Sequence, residues 1–77
     1  MIYPNPSTGA ITIRFNQQID AIEVTVVNTL NCIVYKEPFE NVIDKMINID
    51  LSDLAKGFYF IKLRMEDKEK TVRIILH

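Results

Sequence analysis

Apolar residues recur at every second position in one segment of this chain after another, and that period constrains the fold most. Ile11, Ile13 and Phe15 alternate with Thr12 and Arg14. Ile22, Val24 and Val26 alternate with Glu23 and Thr25, and Ile47, Ile49 and Leu51 with Asn48 and Asp50. Successive side chains of a strand point to opposite faces, so each run predicts a strand with one buried and one solvated face. Ile33-Val34-Tyr35 makes a shorter run that Pro38 is expected to end. Phe58 to Met65 and Lys70 to Leu76 form a last pair, joined through the charged Glu66-Asp67-Lys68-Glu69. Asn28-Thr29-Leu30-Asn31 reads as a turn in which Asn31 tolerates positive φ. The one helical candidate is a single turn near Ser52 to Ala55, with Ser52 suited to cap it. The expectation is an all-β fold, a small Ig-like antiparallel β-sandwich of six to seven strands.

Ahead of the first alternating run stands Tyr3-Pro4-Asn5-Pro6-Ser7-Thr8-Gly9. Pro4 and Pro6 fix their own φ and hold Tyr3 and Asn5 extended, and Gly9 then frees the backbone to turn. Residues 1–9 are therefore read as a stiff linker arm leading into a single sandwich domain at 10–77, as in a module detached from a longer protein. Late in the chain, Tyr59 follows Leu54 and Gly57 into a strand, as in the tyrosine corners of Greek-key sandwiches. Its hydroxyl is expected to bond upstream backbone rather than a ligand.

Composition narrows the function. At 77 residues there is room for one domain, whose core supplies a net stability of about 3–5 kcal/mol. A net charge of −1 argues against a nucleic-acid partner. No stretch approaches the roughly 20 apolar residues of a membrane-spanning helix, and the export signal of an exported parent is expected upstream of residue 1. The only cysteine, Cys32, beside Ile33 and Val34, reads as a small buried hydrophobe rather than a nucleophile, and the only histidine, His77, as frayed. Ser7, Thr8 and Ser52 have no neighbouring histidine to act as base. Asp50 and Asp53 flank a turn without the ladder of oxygen ligands that calcium loops need, and read as Asx turn residues. The chain is not expected to be an enzyme, to bind a metal or to carry a cofactor.

Taken in order, Ile2-Tyr3-Pro4-Asn5-Pro6-Ser7-Thr8-Gly9, Val24-Thr25-Val26-Val27-Asn28-Thr29-Leu30-Asn31, Ile49-Asp50-Leu51-Ser52-Asp53-Leu54-Ala55-Lys56-Gly57-Phe58-Tyr59 and Lys70-Thr71-Val72-Arg73-Ile74-Ile75-Leu76 resemble the type A C-terminal sorting domain of type IX secretion cargo. The resemblance covers nearly the whole chain and departs at Asn31, where the family usually has glycine, and at Arg73, where it usually has lysine. It implies a C-terminal signal recognised by outer-membrane secretion machinery and removed by a sortase-like peptidase acting in the linker ahead of the domain. It also implies an upstream cargo domain and passage through the periplasm of a Gram-negative bacterium to the cell surface or medium. Weak self-association of the domain is a further expectation. The alternatives are an Ig- or fibronectin-like adhesion or carbohydrate-binding module, disfavoured by the absence of tryptophan, and a structural spacer.

The last hairpin supplies the candidate recognition face. With Tyr59, Ile61, Leu63 and Met65 inward, Phe58, Phe60, Lys62 and Arg64 face outward. With Val72, Ile74 and Leu76 inward, Thr71, Arg73 and Ile75 face outward. A four-residue loop, Glu66 to Glu69, then places Lys62 opposite Arg73 and Phe60 opposite Ile75. A directly opposed like-charge pair and an outward apolar pair are unfavourable for folding alone, which points to recognition. The ordinary alternative is that Glu23 or another acid neutralises the pair and a loop covers Phe60.

Overall fold

Seven strands account for the alternating runs: β1 (Ile2–Tyr3), β2 (Ala10–Arg14), β3 (Ala21–Asn28), β4 (Ile33–Glu40), β5 (Met46–Asp50), β6 (Gly57–Arg64) and β7 (Glu69–Leu76). The computed structural model describes residues 1–77, the side chain of Ile43 excepted. Antiparallel pairing builds a three-stranded sheet in the order β1-β2-β5 and a four-stranded sheet in the order β4-β3-β6-β7. The fold is an all-β sandwich. Its core lies where the inward residues of the two sheets meet. Ile11, Ile13, Ile47 and Ile49 come from the first sheet, and Val24, Val26, Ile61, Leu63, Ile74 and Leu76 from the second. Each such side chain contributes about 1.5–3 kcal/mol of burial.

Three local expectations need correction. Pro38 does not end a strand; β4 runs through it, with Pro38 opposite Glu23. β4 is an edge strand, and the alternation of the ladder turns the nitrogen of Pro38 to its open side, so no bond to β3 is lost. Ser52 to Ala55 is not a helical turn; Ser52 and Asp53 are the central residues of a β-turn closed by the Leu54 N–H on the Leu51 carbonyl at 3.0 Å. A short turn lies instead at Ile43–Lys45, where Asp44 and Lys45 take left-handed φ of 56° and 58°. The third correction concerns the last hairpin. Arg64 pairs with Glu69, Lys62 with Thr71, Phe60 with Arg73 and Phe58 with Ile75. The register is thus displaced by two residues from the expected one. The Met65 N–H reaches the Lys68 carbonyl at 2.8 Å, leaving only Glu66-Asp67 at the tip. A displacement of two keeps every side chain on its face, so the apolar pattern could not distinguish the two registers.

The first residues of the chain are tied into both sheets. Ile2 and Tyr3 pair with Ile13 and Thr12 as β1. The Asn5 side-chain amide then donates to the Arg73 carbonyl at 3.1 Å and accepts from the Ile75 N–H at 3.0 Å, much as a paired strand residue does. Beyond it the Ser7 N–H donates to the Ile75 carbonyl at 2.9 Å, and the His77 N–H to the Ser7 carbonyl at 2.8 Å. Residues 5–7 thereby cover the C-terminal half of the exposed β7 edge. Buried Ser7 is fully satisfied, its hydroxyl donating to the Ala10 carbonyl and accepting from the Gly9 N–H.

Gly9 is required at the next step. Its φ is +130°, and a Cβ there would lie 2.5 Å from the Ser52 Cα, so the two segments pack backbone to backbone.

Candidate functional site

The outer face of the four-stranded sheet holds the residues that the sequence singled out for recognition, and the pairing fixes their neighbours. One row across the sheet reads Ile33, Val27, Phe60, Arg73. The next reads Lys36, Thr25, Lys62, Thr71, and the one beyond it Pro38, Glu23, Arg64, Glu69. Phe58 and Ile75 pair at the near end. The face therefore has an apolar end and a charged end.

At the charged end most ions have a partner. Glu23 lies opposite Arg64 and 3.8 Å from Lys36, and Arg64 also lies opposite Glu69. Lys62 does not oppose Arg73, as the sequence suggested, but sits between Thr25 and Thr71. The expected like-charge pair is thus absent, and so is the energetic penalty attached to it. Lys62 has no acid directly opposite on either side. Arg73 lies over the Phe58 ring, 5.4 Å from its centroid, an arrangement worth about 0.5–1 kcal/mol at an exposed site.

At the apolar end, Val27 is buried although its place in the strand points it outward. It stands opposite Phe60, which is half-buried, and the two side chains shield one another. Phe58 is 48% exposed, Ile33 60% and Leu30 81%, so the patch continues onto the turn between β3 and β4. Asn28 builds that turn. Its side-chain oxygen accepts from the Leu30 and Cys32 N–H groups, both at 2.9 Å, and Asn31 has φ of 63°. Sequence reasoning placed the turn but expected Cys32 to be buried, whereas it is exposed, and missed the organising role of Asn28; an asparagine at the start of a turn is the available signal.

The structural residues are also placed. The Tyr59 hydroxyl donates to the Ala55 carbonyl at 2.6 Å from a side chain that is otherwise in the core. Gly57, with φ of +145°, precedes it in open space. The edge-covering role of Asn5 and the buried node at Ser7 were not foreseen, because both act on residues at the far end of the chain. Pro4 and Pro6 flank Asn5 in the exposed arm.

Two titratable side chains away from this face have displaced protonation equilibria. Asp50 accepts from the Ser52 N–H at 2.9 Å, and the hydrogen bonds from Ser52 hold its carboxyl below the usual range. Tyr35, on the edge strand, donates to Glu37 at 2.6 Å. Partial burial first, then the bond and charge of Glu37, push its phenol well above the ordinary value. No group of three or more His, Cys, Asp or Glu side chains that could hold a metal occurs among the described residues.

Comparison with known proteins is consistent with this picture. A family model described as the secretion system C-terminal sorting domain matches residues 1–77. No curated protein gives a match. The matched family is one of sorting signals and not of enzymes. The chain belongs to the secretion system C-terminal sorting domain family, the signal that directs a cargo protein through type IX secretion machinery to the cell surface or the exterior.

Proposed function

We propose that the type IX machinery in the outer membrane reads this domain through the outer face of its four-stranded sheet, at Phe58, Phe60, Lys62, Arg64, Arg73 and Ile75. The observation that carries the reading is the pair Lys62 and Arg73. Neither has an acid directly opposite, and both border the partly exposed aromatic residues Phe58 and Phe60. A partner with acidic groups around an apolar patch would complement that surface. In this reading a cargo domain precedes the arm, and the fused protein crosses the periplasm of a Gram-negative bacterium. A sortase-like peptidase then removes the signal. Peptidases act on extended, unpaired chain, and Ile2, Tyr3, Asn5 and Ser7 are bonded to β2 or the β7 edge, so cleavage falls upstream of the arm.

The test is export of a periplasm-directed reporter carrying this chain at its C-terminus, in a host with type IX machinery. Lys62→Gln with Arg73→Gln is expected to leave the domain folded and the reporter in the periplasm. Tyr59→Phe is expected to lower the melting temperature while export continues at permissive temperature. Normal export of the double variant would move the recognition surface elsewhere. Mass spectrometry of the released domain places the cut, and a cut within residues 2–9 would refute the proposed cleavage position.

A further inference from the structure

A second surface, distinct from the outer face, lies where the two sheets part beside the end of β7 that the arm leaves uncovered. β7 is an edge strand, and the arm covers only part of it. The backbone groups that meet the arm are those of Arg73, Ile75 and His77. By strand alternation the N–H and C=O of Glu69 and Thr71 point the same way, as does the Arg73 N–H. These groups have no strand partner among the described residues.

The uncovered stretch borders an open groove of about 900 Å³. Its apolar floor includes Ile13, Phe15, Leu63 and Met65, contributed by both sheets. Around it stand Arg14, Lys45, Lys68 and Lys70, against the acids Asp44 and Glu69, so the rim is cationic in a chain whose net charge is −1. Lys70 lies on the inward side of β7, opposite Leu63. An inward-pointing charge on an edge strand discourages random strand pairing, which is the ordinary reading of Lys70. The same charge favours a strand that brings a carboxylate to it.

We infer that the free half of the β7 edge and this groove together form a strand-addition site for a short extended segment of a partner protein, with apolar residues at alternate positions and acidic residues at its ends. The arm demonstrates that the edge accepts an extended chain, since Ser7 already bridges to Leu76 in parallel. Main-chain bonds to Glu69, Thr71 and Arg73 would supply affinity, and the floor and rim selectivity. The site does not depend on the outer-face reading: of the residues named there only Arg73 takes part, through its backbone N–H and not its side chain.

The experiment titrates the isotope-labelled 77-residue chain with a synthetic hexapeptide that alternates valine and serine between terminal glutamates, followed by NMR. Saturable shifts of the Glu69, Thr71 and Arg73 amides and of the Leu63 and Met65 methyls are expected. Thr71→Pro removes an outward N–H at an edge position where proline is tolerated, and is expected to weaken binding about tenfold with the melt unchanged. Lys70→Glu is expected to shift preference toward a lysine-ended peptide, and it remains decisive if the proline variant fails to fold. Absence of saturable shifts, unweakened binding by a folded Thr71→Pro variant, or equal binding of both peptides to the parent would overturn the inference. Concentration-dependent shifts of the same amides without peptide would assign the site to a second copy instead, and overturn the heterologous partner.

Discussion

Asn5→Ala tests whether the first residues of the chain hold the sandwich together. The side chain makes a donor bond of 3.1 Å to the Arg73 carbonyl and an acceptor bond of 3.0 Å from the Ile75 N–H. Both bonds are exposed, so water replaces them on truncation and the loss is their net worth, about 0.5–1.5 kcal/mol each. Together they amount to about 1–3 kcal/mol, in a domain of this length whose core supplies roughly 3–5 kcal/mol. At about 4–8 °C per kcal/mol, the melting temperature should fall by about 4–24 °C. Asn5→Asp keeps the acceptor but sets a carboxylate against the Arg73 carbonyl, so it should rescue nothing. Thermal melts followed by circular dichroism give the stability, and hydrogen exchange of the Ile75 amide gives the local opening. An alanine variant that melts with the parent and keeps that amide protected would show that the Ser7 bonds alone hold the arm.

Tyr59→Phe removes the donor to Ala55 and should cost about 1 kcal/mol, read as an earlier melt; an unchanged melt would make the hydroxyl incidental. Gly9→Ala and Gly57→Ala both strain a positive φ, at about 1–3 kcal/mol, but only the first also drives a Cβ to 2.5 Å from the Ser52 backbone. Gly9→Ala should therefore fail to fold, while Gly57→Ala should fold with a lower melting temperature; equal behaviour in denaturant titrations would refute the contact. The folded-state pKa of Asp50 lies below its unfolded value, so its stabilisation is present above about pH 3.9 and is lost as pH falls through the lower, folded value. Asp50→Ala should flatten that part of the stability–pH curve, and parallel curves for the two proteins would exclude the Ser52 bond as its source.

Which face each strand buries was legible in the sequence, because alternation reports side-chain parity directly. Ile61 and Ile74 are fully buried as the pattern requires, and Phe58, Lys62 and Arg73 lie on the opposite face. Register was not legible. Moving β7 by two residues past β6 preserves parity, and the choice rests on the tip, where the Met65–Lys68 bond closes a tighter turn than the charged tetrad suggested. Pro38 misled because its cost depends on whether a strand is central or at an edge, which is a property of the sheet order. The roles of Asn5 and Ser7 depend on residues about 70 positions away, beyond any local pattern. Val27 is buried on the nominally exposed face because of its cross-strand partner Phe60, again a matter of register.

The corrected register also changes how stability and address divide between residues. With Lys62 between threonines and Arg64 between acids, the outer face carries little strain that folding must overcome. Its side chains can therefore change for recognition at small cost to the fold, about 0–1 kcal/mol for an exposed charge. Stability rests instead on the inter-sheet core, on Tyr59, on the close approach at Gly9 and on the arm. The arm is both the entry to the domain and the cover of its edge. A cut upstream of β1 would release a sorting domain that stays folded, with the β7 edge still half covered. A cut between β1 and Asn5 would separate β1 from the domain and loosen the hold on that edge. The position of processing relative to Asn5 thus decides whether the discarded signal leaves as a folded module or as an edge-exposed one prone to strand pairing.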